Sequence, residues 1–168
     1  RPPYLMPDTT SFDTGDIFFS VGDSWESVAV RALSGTSSWE VTDSTPSHCG
    51  IVVRDARGVR LAHASTAAGK IVVETPEEYL RNNGSYCIYA VKPPCPVSAE
   101  GIRQTVDSLV AHGVKFDFDF DHTTPDALYC TEMVVTVFEA NSCSAFSSLR
   151  QQSYIYPIDL LLRIGNSR

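Results

Sequence analysis

Basic residues are scarce: 13 Lys and Arg stand against 20 Asp and Glu, leaving a formal charge of −7 over 168 residues. No long basic stripe offsets this, so nucleic acid, which is bound largely through cationic contacts to phosphate, is excluded as a partner. The same deficit disfavours electrostatic attachment to anionic membranes. No run approaches the roughly 18 apolar residues of a transmembrane helix. The opening RPPYLMPDTTS lacks the apolar centre of a signal peptide. With Arg1 in first place, the chain is expected to be exported, periplasmic or extracellular, after removal of a signal; a cytoplasmic protein is the alternative. There is no CxxC pair, so no structural zinc is expected, and no cofactor either. Repeats and long linkers are also missing. What remains is 43% hydrophobic residues in a chain long enough to bury nearly 70% of its unfolded surface, which predicts one domain over residues 1–168.

The stretch DALYCTEMVVTVFEA places a cysteine directly before an apolar run. Met133, Val134, Val137 and Phe138 repeat at helical spacing, predicting a buried helix over 130–141 with Pro125 and Asp126 as upstream start signals. Cys130 then falls in the opening turn. There the unpaired N–H groups and the positive end of the helix dipole favour an anion, and a thiol becomes a nucleophile. A buried, inert thiol would occupy the same place, so position alone does not assign it.

A nucleophile needs a base. His48 opens HCGIVV, and VRLAHA with His63 follows across the turn-forming DARG, a β-hairpin pattern. If Asp55 and Gly58 flank a two-residue turn, Gly50 faces His63 and His48 faces Ser65. The two histidines then share one face as diagonal neighbours, within side-chain reach. Gly50, between them, would leave space for a packed helix end.

The ordered series GDIFFS, SHCGIVV, LAHAS, VVETPEEYL and LYCTEMV, spanning about residues 14–140, resembles the permuted papain-like cysteine hydrolases of the NlpC superfamily, in particular the YiiX/YaeF-like branch. The resemblance implies an α+β, circularly permuted papain-like (NlpC-type) fold, with an antiparallel sheet packed against the helix carrying the cysteine. It implies Cys130 as nucleophile, His48 as its base and His63 as the orienting residue. Relatives carry an acidic residue at that third place; a histidine there brings no permanent negative charge to stabilise the imidazolium. The implied function is a cysteine amidase or peptidase acting on a small peptide, including cell-wall peptides, or on an acylated amine through a thioester. A thiol acyltransferase or lipid hydrolase, and a non-catalytic binding module on the same fold, are the alternatives. Tyr129 and His122 are candidates for a second oxyanion donor beside the Cys130 N–H. Glu132 matches the motif's acidic position, either touching substrate or serving as a first-turn acid. Trp39, in the polar stretch 34–47 expected to rim the cleft, is a substrate wall or a loop anchor.

The rest reads as scaffold. DIFFS begins the sheet, DSWESVAVRALSG is helical, KIVVE and YCIYAV are strands, and TPEEYLRNN is a short helix with Thr75, Pro76 and Glu78 forming its start. SAEGIRQTVDSLVAHG is a helix with Ile102, Val106, Leu109 and Val110 on its core face. Cys49 and Cys87 read as core thiols, whereas pairing of Cys95 and Cys143 stays open. KFDFDFDH begins like a calcium loop, but His122 and Leu128 stand where glycine and a bidentate glutamate are required. Its alternation predicts an extended segment with phenylalanines inward and carboxylates wet.

Overall fold

The computed structural model describes residues 6–22, 30 and 45–166. The strands are β1 (Ile17–Gly22), β2 (His48–Asp55), β3 (Gly58–Ser65), β4 (Lys70–Glu74), β5 (Ser85–Val91), β6 (Lys115–Phe116) and β7 (Ala127–Leu128). They form one sheet in the order β5-β1-β2-β3-β4-β6-β7, antiparallel except for the β6–β7 pair. Helices α1 (Pro76–Asn82), α2 (Ala99–Ala111), α3 (Cys130–Ala140) and α4 (Pro157–Asn166) complete the α+β fold with a 3₁₀ turn at Ser147–Gln151.

The β2–β3 hairpin has the expected register, Asp55 opposite Gly58 and Ile51 opposite Ala62. Gly58 takes φ +122°, a conformation costly for any side chain, which is why the turn closes there. Strand alternation sends Cys49 and Ile51 of β2, with Ala62 and Ala64 of β3, into the larger core against α3. Val52 and Leu61 face the other way, into a smaller core with Phe18, Tyr79, Leu80 and Ile88. The sheet is therefore covered on both faces, α3 on one and α1 on the other.

Several expectations are corrected. The space above Gly50 is filled by the Phe18 ring rather than by a helix end, and a Cβ at this position would overlap that ring and the Ala62 carbonyl oxygen. Pro125 and Asp126 do not start α3. Asp126 turns the chain at φ +58° into β7, and α3 begins at Cys130 with Tyr129 as N-cap. Val110 lies 40% exposed, so the α2 core face is carried by Ile102 and Val106, with Leu109 packed beside them. In KFDFDFDH the alternation ends after Phe116. The buried Asp117 carboxylate accepts the backbone N–H of Asp119 (2.9 Å) and of Asp121 (3.2 Å). This folds a turn that competes with strand geometry and leaves Phe118 60% and Phe120 40% exposed. Cys95 and Cys143 form a disulfide, with Cα atoms 6.2 Å apart. The helix expected in DSWESVAVRALSG and most of the 34–47 loop, including Trp39, lie outside the described residues.

Candidate active site

His48 is the first residue of β2, paired with Ser20 of β1. His63 sits one strand over, fully buried on the face that carries Leu61. The hairpin register brings the two rings together: His48 Nε2 lies 2.9 Å from His63 Nδ1. The chain of contacts continues to a residue not singled out from the motifs, from His63 Nε2 to Glu74 Oε1 at 2.5 Å. Glu74 ends β4 and pairs with Leu61, so its side chain projects from the face that bears His63. The Asn82 amide donates to Glu74 Oε2 at 2.7 Å and the Asn83 amide to Oε1 at 3.2 Å. Tyr79 of α1 backs both histidines, edge-on to His63 with ring centroids 4.8 Å apart and stacked on His48 at 6.1 Å. Its hydroxyl is fixed by Ser20 Oγ at 2.6 Å.

Cys130 arrives from the opposite face. It is the first residue of α3, buried beside Cys49 in the larger core, and it meets His48 at the end of the sheet, where both line one cavity. The cavity holds about 500 Å³ and is walled by Phe116, Phe118, Phe120, Tyr79 and Tyr154, with Asn82 and Asn83 on its polar side. Among its described lining residues none is Asp, Glu, Lys or Arg.

The electrostatics divide the two neighbouring thiols. Interaction with the Cys49 thiol, and then the charge and contact of His48, hold the Cys130 thiol well below the ordinary cysteine range despite burial. Cys49, fully buried, is pushed well above it by desolvation and by the adjacent Cys130. Of the two neighbouring thiols, Cys130 is therefore the one that ionises first. Burial pulls His63 down to about 4, against the opposing effect of Glu74, so the ring is neutral near pH 7. Burial would raise Glu74, but the contacts from His63, Asn82 and Asn83 bring it down to about 2.

The array therefore gathers Cys130, His48 and His63, the three residues singled out for chemistry. Of the residues assigned to substrate, Tyr129 and Glu132 do not join them. Tyr129 is fully buried with its hydroxyl accepting the Ile155 N–H at 3.2 Å, and it is not among the cavity walls. Glu132 is buried and reaches back to the Tyr129 N–H at 3.2 Å, capping α3, which is the first-turn role rather than substrate contact. Its Oε2 lies 3.6 Å from His122 Nδ1, while His122 Nε2 donates to the Gln152 carbonyl at 2.8 Å, so His122 too faces away from the cavity. Trp39 lies outside the described residues; of the loop expected to rim the cleft, Ser47 lines it.

Among the described residues no three His, Cys, Asp or Glu side chains converge in a set that would hold a metal ion. No helix among them is long and apolar enough to cross a membrane.

No family model and no curated protein matches the chain. The fold, an α+β arrangement with a mostly antiparallel sheet, does have solved counterparts. One is the crystal structure of metalloprotein yiiX from Escherichia coli O157:H7, DUF1105, at a TM-score of 0.59 and 21% identity over 82% of this chain and 67% of that one. The protein has a YiiX-like fold.

Proposed function

We propose that the protein is a cysteine hydrolase of the permuted papain-like type, an amidase or peptidase that works through a thioester acyl-enzyme. The observation that carries this reading is that Cys130, at the first turn of a helix, and His48 line one cavity and interact, while His48, His63 and Glu74 are joined by contacts of 2.9 and 2.5 Å. The Cys130 thiolate attacks the carbonyl carbon, and the helix start supplies a backbone N–H, at Cys130 itself, for the developing oxyanion. Protonated His48 then gives its proton to the leaving amine. Water, deprotonated by His48, releases the acyl group and restores the thiol.

The cavity walls favour an acylated amine over a cell-wall peptide. Among the described walls the aromatic side chains with two amides offer a place for an apolar acyl group, and no cation that would pair with a peptide's several carboxylates. The same walls favour, as the second reading, a thiol acyltransferase or lipid hydrolase using the same thioester. The metal of metalloprotein yiiX is not carried over to this reading, since among the described residues no His, Cys, Asp and Glu side chains form a ligand set. The Cys95–Cys143 disulfide agrees with export to an oxidising compartment.

The test is the rate of iodoacetamide labelling of Cys130 against pH, read by peptide mass spectrometry in wild type and His48→Ala, with Cys49 and Cys87 as internal controls. Rapid labelling of Cys130 below about pH 7 that disappears in the variant is expected. Activity on an N-acyl amine, absent in Cys130→Ala, should accompany it; preference for ester or phospholipid favours the second reading. Labelling as slow as that of Cys49 would make the protein a binding module.

A further inference from the structure

Glu74 is not among the cavity's lining residues, yet it stands at the far end of the array that begins at Cys130, behind His63 and the cavity-lining Asn82 and Asn83. Its two carboxylate oxygens meet two amide donors, Asn83 on Oε1 and Asn82 on Oε2, and His63 Nε2 also lies on Oε1. These contacts hold Glu74 ionised near pH 7, and an ionised carboxylate only accepts. The consequence runs along the line one nitrogen at a time. His63 must carry its proton on Nε2. Being neutral, it then has a bare Nδ1, which accepts. His48 must therefore donate from Nε2, and the nitrogen left to exchange a proton with Cys130 is Nδ1. A histidine in the third place lacks charge and has two interchangeable tautomers; alone it would orient His48 in neither sense. An acceptor-only group behind it removes the ambiguity.

From this geometry we propose that Glu74 is a positioning residue: acting through His63, it selects the His48 tautomer that presents Nδ1 to Cys130, with Asn82 and Asn83 holding its carboxylate in place. The inference rests on the cysteine-hydrolase reading and adds to it the source of the negative charge that a Cys-His-His set lacks. It also gives α1 a task. One short helix contributes Tyr79 behind the histidine rings, and its C-terminal end contributes the two amides that grip the carboxylate. When the thiol proton passes from Cys130 Sγ to His48 Nδ1, the resulting imidazolium donates from both nitrogens. Its positive charge is then balanced across His63 by Glu74, with no proton moving beyond His48.

The experiment compares wild type, His48→Ala, Glu74→Gln and Glu74→Asp by the pH profile of Cys130 alkylation, with far-ultraviolet circular dichroism as the check of folding. Glutamine keeps the size of Glu74 but can donate or accept and carries no charge. The thiolate–imidazolium pair should therefore form less readily, moving the acid limb of the profile up by about one unit and slowing labelling near pH 6 about tenfold. Aspartate restores the charge and should return the limb toward its wild-type position. A folded Glu74→Gln variant with the wild-type profile would reduce Glu74 to a structural residue and overturn the proposal. Loss of labelling equal in Glu74→Gln and Glu74→Asp would also overturn it, because the charge would then not be what matters. A wild-type profile that is already insensitive to His48→Ala would sink the cysteine-hydrolase reading itself, and the relay with it. Imidazole ¹⁵N shifts of the wild-type protein above about pH 7.5 read the tautomers directly and cover a Glu74→Gln variant that does not fold. His63 is expected to carry its proton on Nε2 alone and His48 to carry one on Nε2, joined by a second on Nδ1 while it holds the thiol proton; a proton on His63 Nδ1, or a bare His48 Nε2, overturns the assignment.

Discussion

His63 carries two polar nitrogens into a site with no exposure to water, and both find partners. That arrangement ties stability to pH. Its ordinary value of 6.5 is pulled down to about 4 in the folded protein, so between those values the unfolded chain binds the proton and the folded one does not. Stability contributed by the neutral ring is complete above about 6.5 and is lost as pH falls toward 4. Glu74, lowered from 4.5 to about 2, continues the trend: its contribution is complete above 4.5 and fades as pH falls toward 2. Chemical denaturation from pH 7 down to 4 should therefore show a loss on the order of 3 kcal/mol that His63→Asn flattens; an unchanged slope in the variant would place the titrating group elsewhere. At this scale the sequence was legible where local geometry decides. The turn residues Asp55 and Gly58 specified the hairpin register, and the register put His48 and His63 on one face. Glu74 was legible in principle, since extending the pairing to KIVVE places it diagonal to His63. A lone carboxylate at a strand end nevertheless reads as a solvated residue, and nothing local reveals the amides that cover it. Tyr129 misled for the opposite reason: a tyrosine beside a nucleophile suggests the site, but its side chain points into the layer where Tyr154 stacks on it.

At the scale of elements, α1 is only seven residues long and depends on its ends. Thr75 Oγ1 accepts the Glu78 N–H at 3.2 Å and Glu78 Oε1 accepts the Thr75 N–H at 3.3 Å, the capping box expected from TPEE. Thr75→Ala should cost about 1 kcal/mol in urea denaturation, and because α1 presents Tyr79, Asn82 and Asn83 it should also lower activity. Full activity in a destabilised variant would show that the site does not lean on the cap. Elements with their own periodicity or caps, such as α1, α2 and α3, are written locally and could be read. The two-residue strands β6 and β7 are not. They exist because β4 offers them an edge, and Lys70 pairs with Lys115 there while Gly69 accepts the Phe116 N–H at 2.9 Å. Phe118 and Phe120 of KFDFDFDH went to the cavity wall rather than joining Phe116 in the core for the same reason: Asp117 turned the segment after a single ladder contact, and alternation lost its meaning beyond it.

Across the whole molecule, the two cores on either side of the sheet leave the array at a meeting point that neither core supplies alone, α3 bringing the thiol and α1 the backing of the histidines. The disulfide stands apart from this machinery. It joins residues 48 positions apart, and closing a loop of that size restricts the unfolded chain by about 4 kcal/mol. Thermal melting of the Cys95→Ser/Cys143→Ser variant should show a midpoint lower by about 10 °C. An equal midpoint would mean that packing of Cys143 in the larger core already does the work.

The span closed by this bond takes in α2, the Phe118–Phe120 loop and all of α3 with Cys130, whereas His48, His63 and Glu74 precede it. The exposed aromatic loop is the natural place for a protease to cut. A cut there would divide the chain into a piece holding the histidines and a piece holding the nucleophile, yet sulfur would keep both in one molecule. The sheet and α3 would remain moored to each other through Cys95 and Cys143, and the nicked protein would come apart only on reduction.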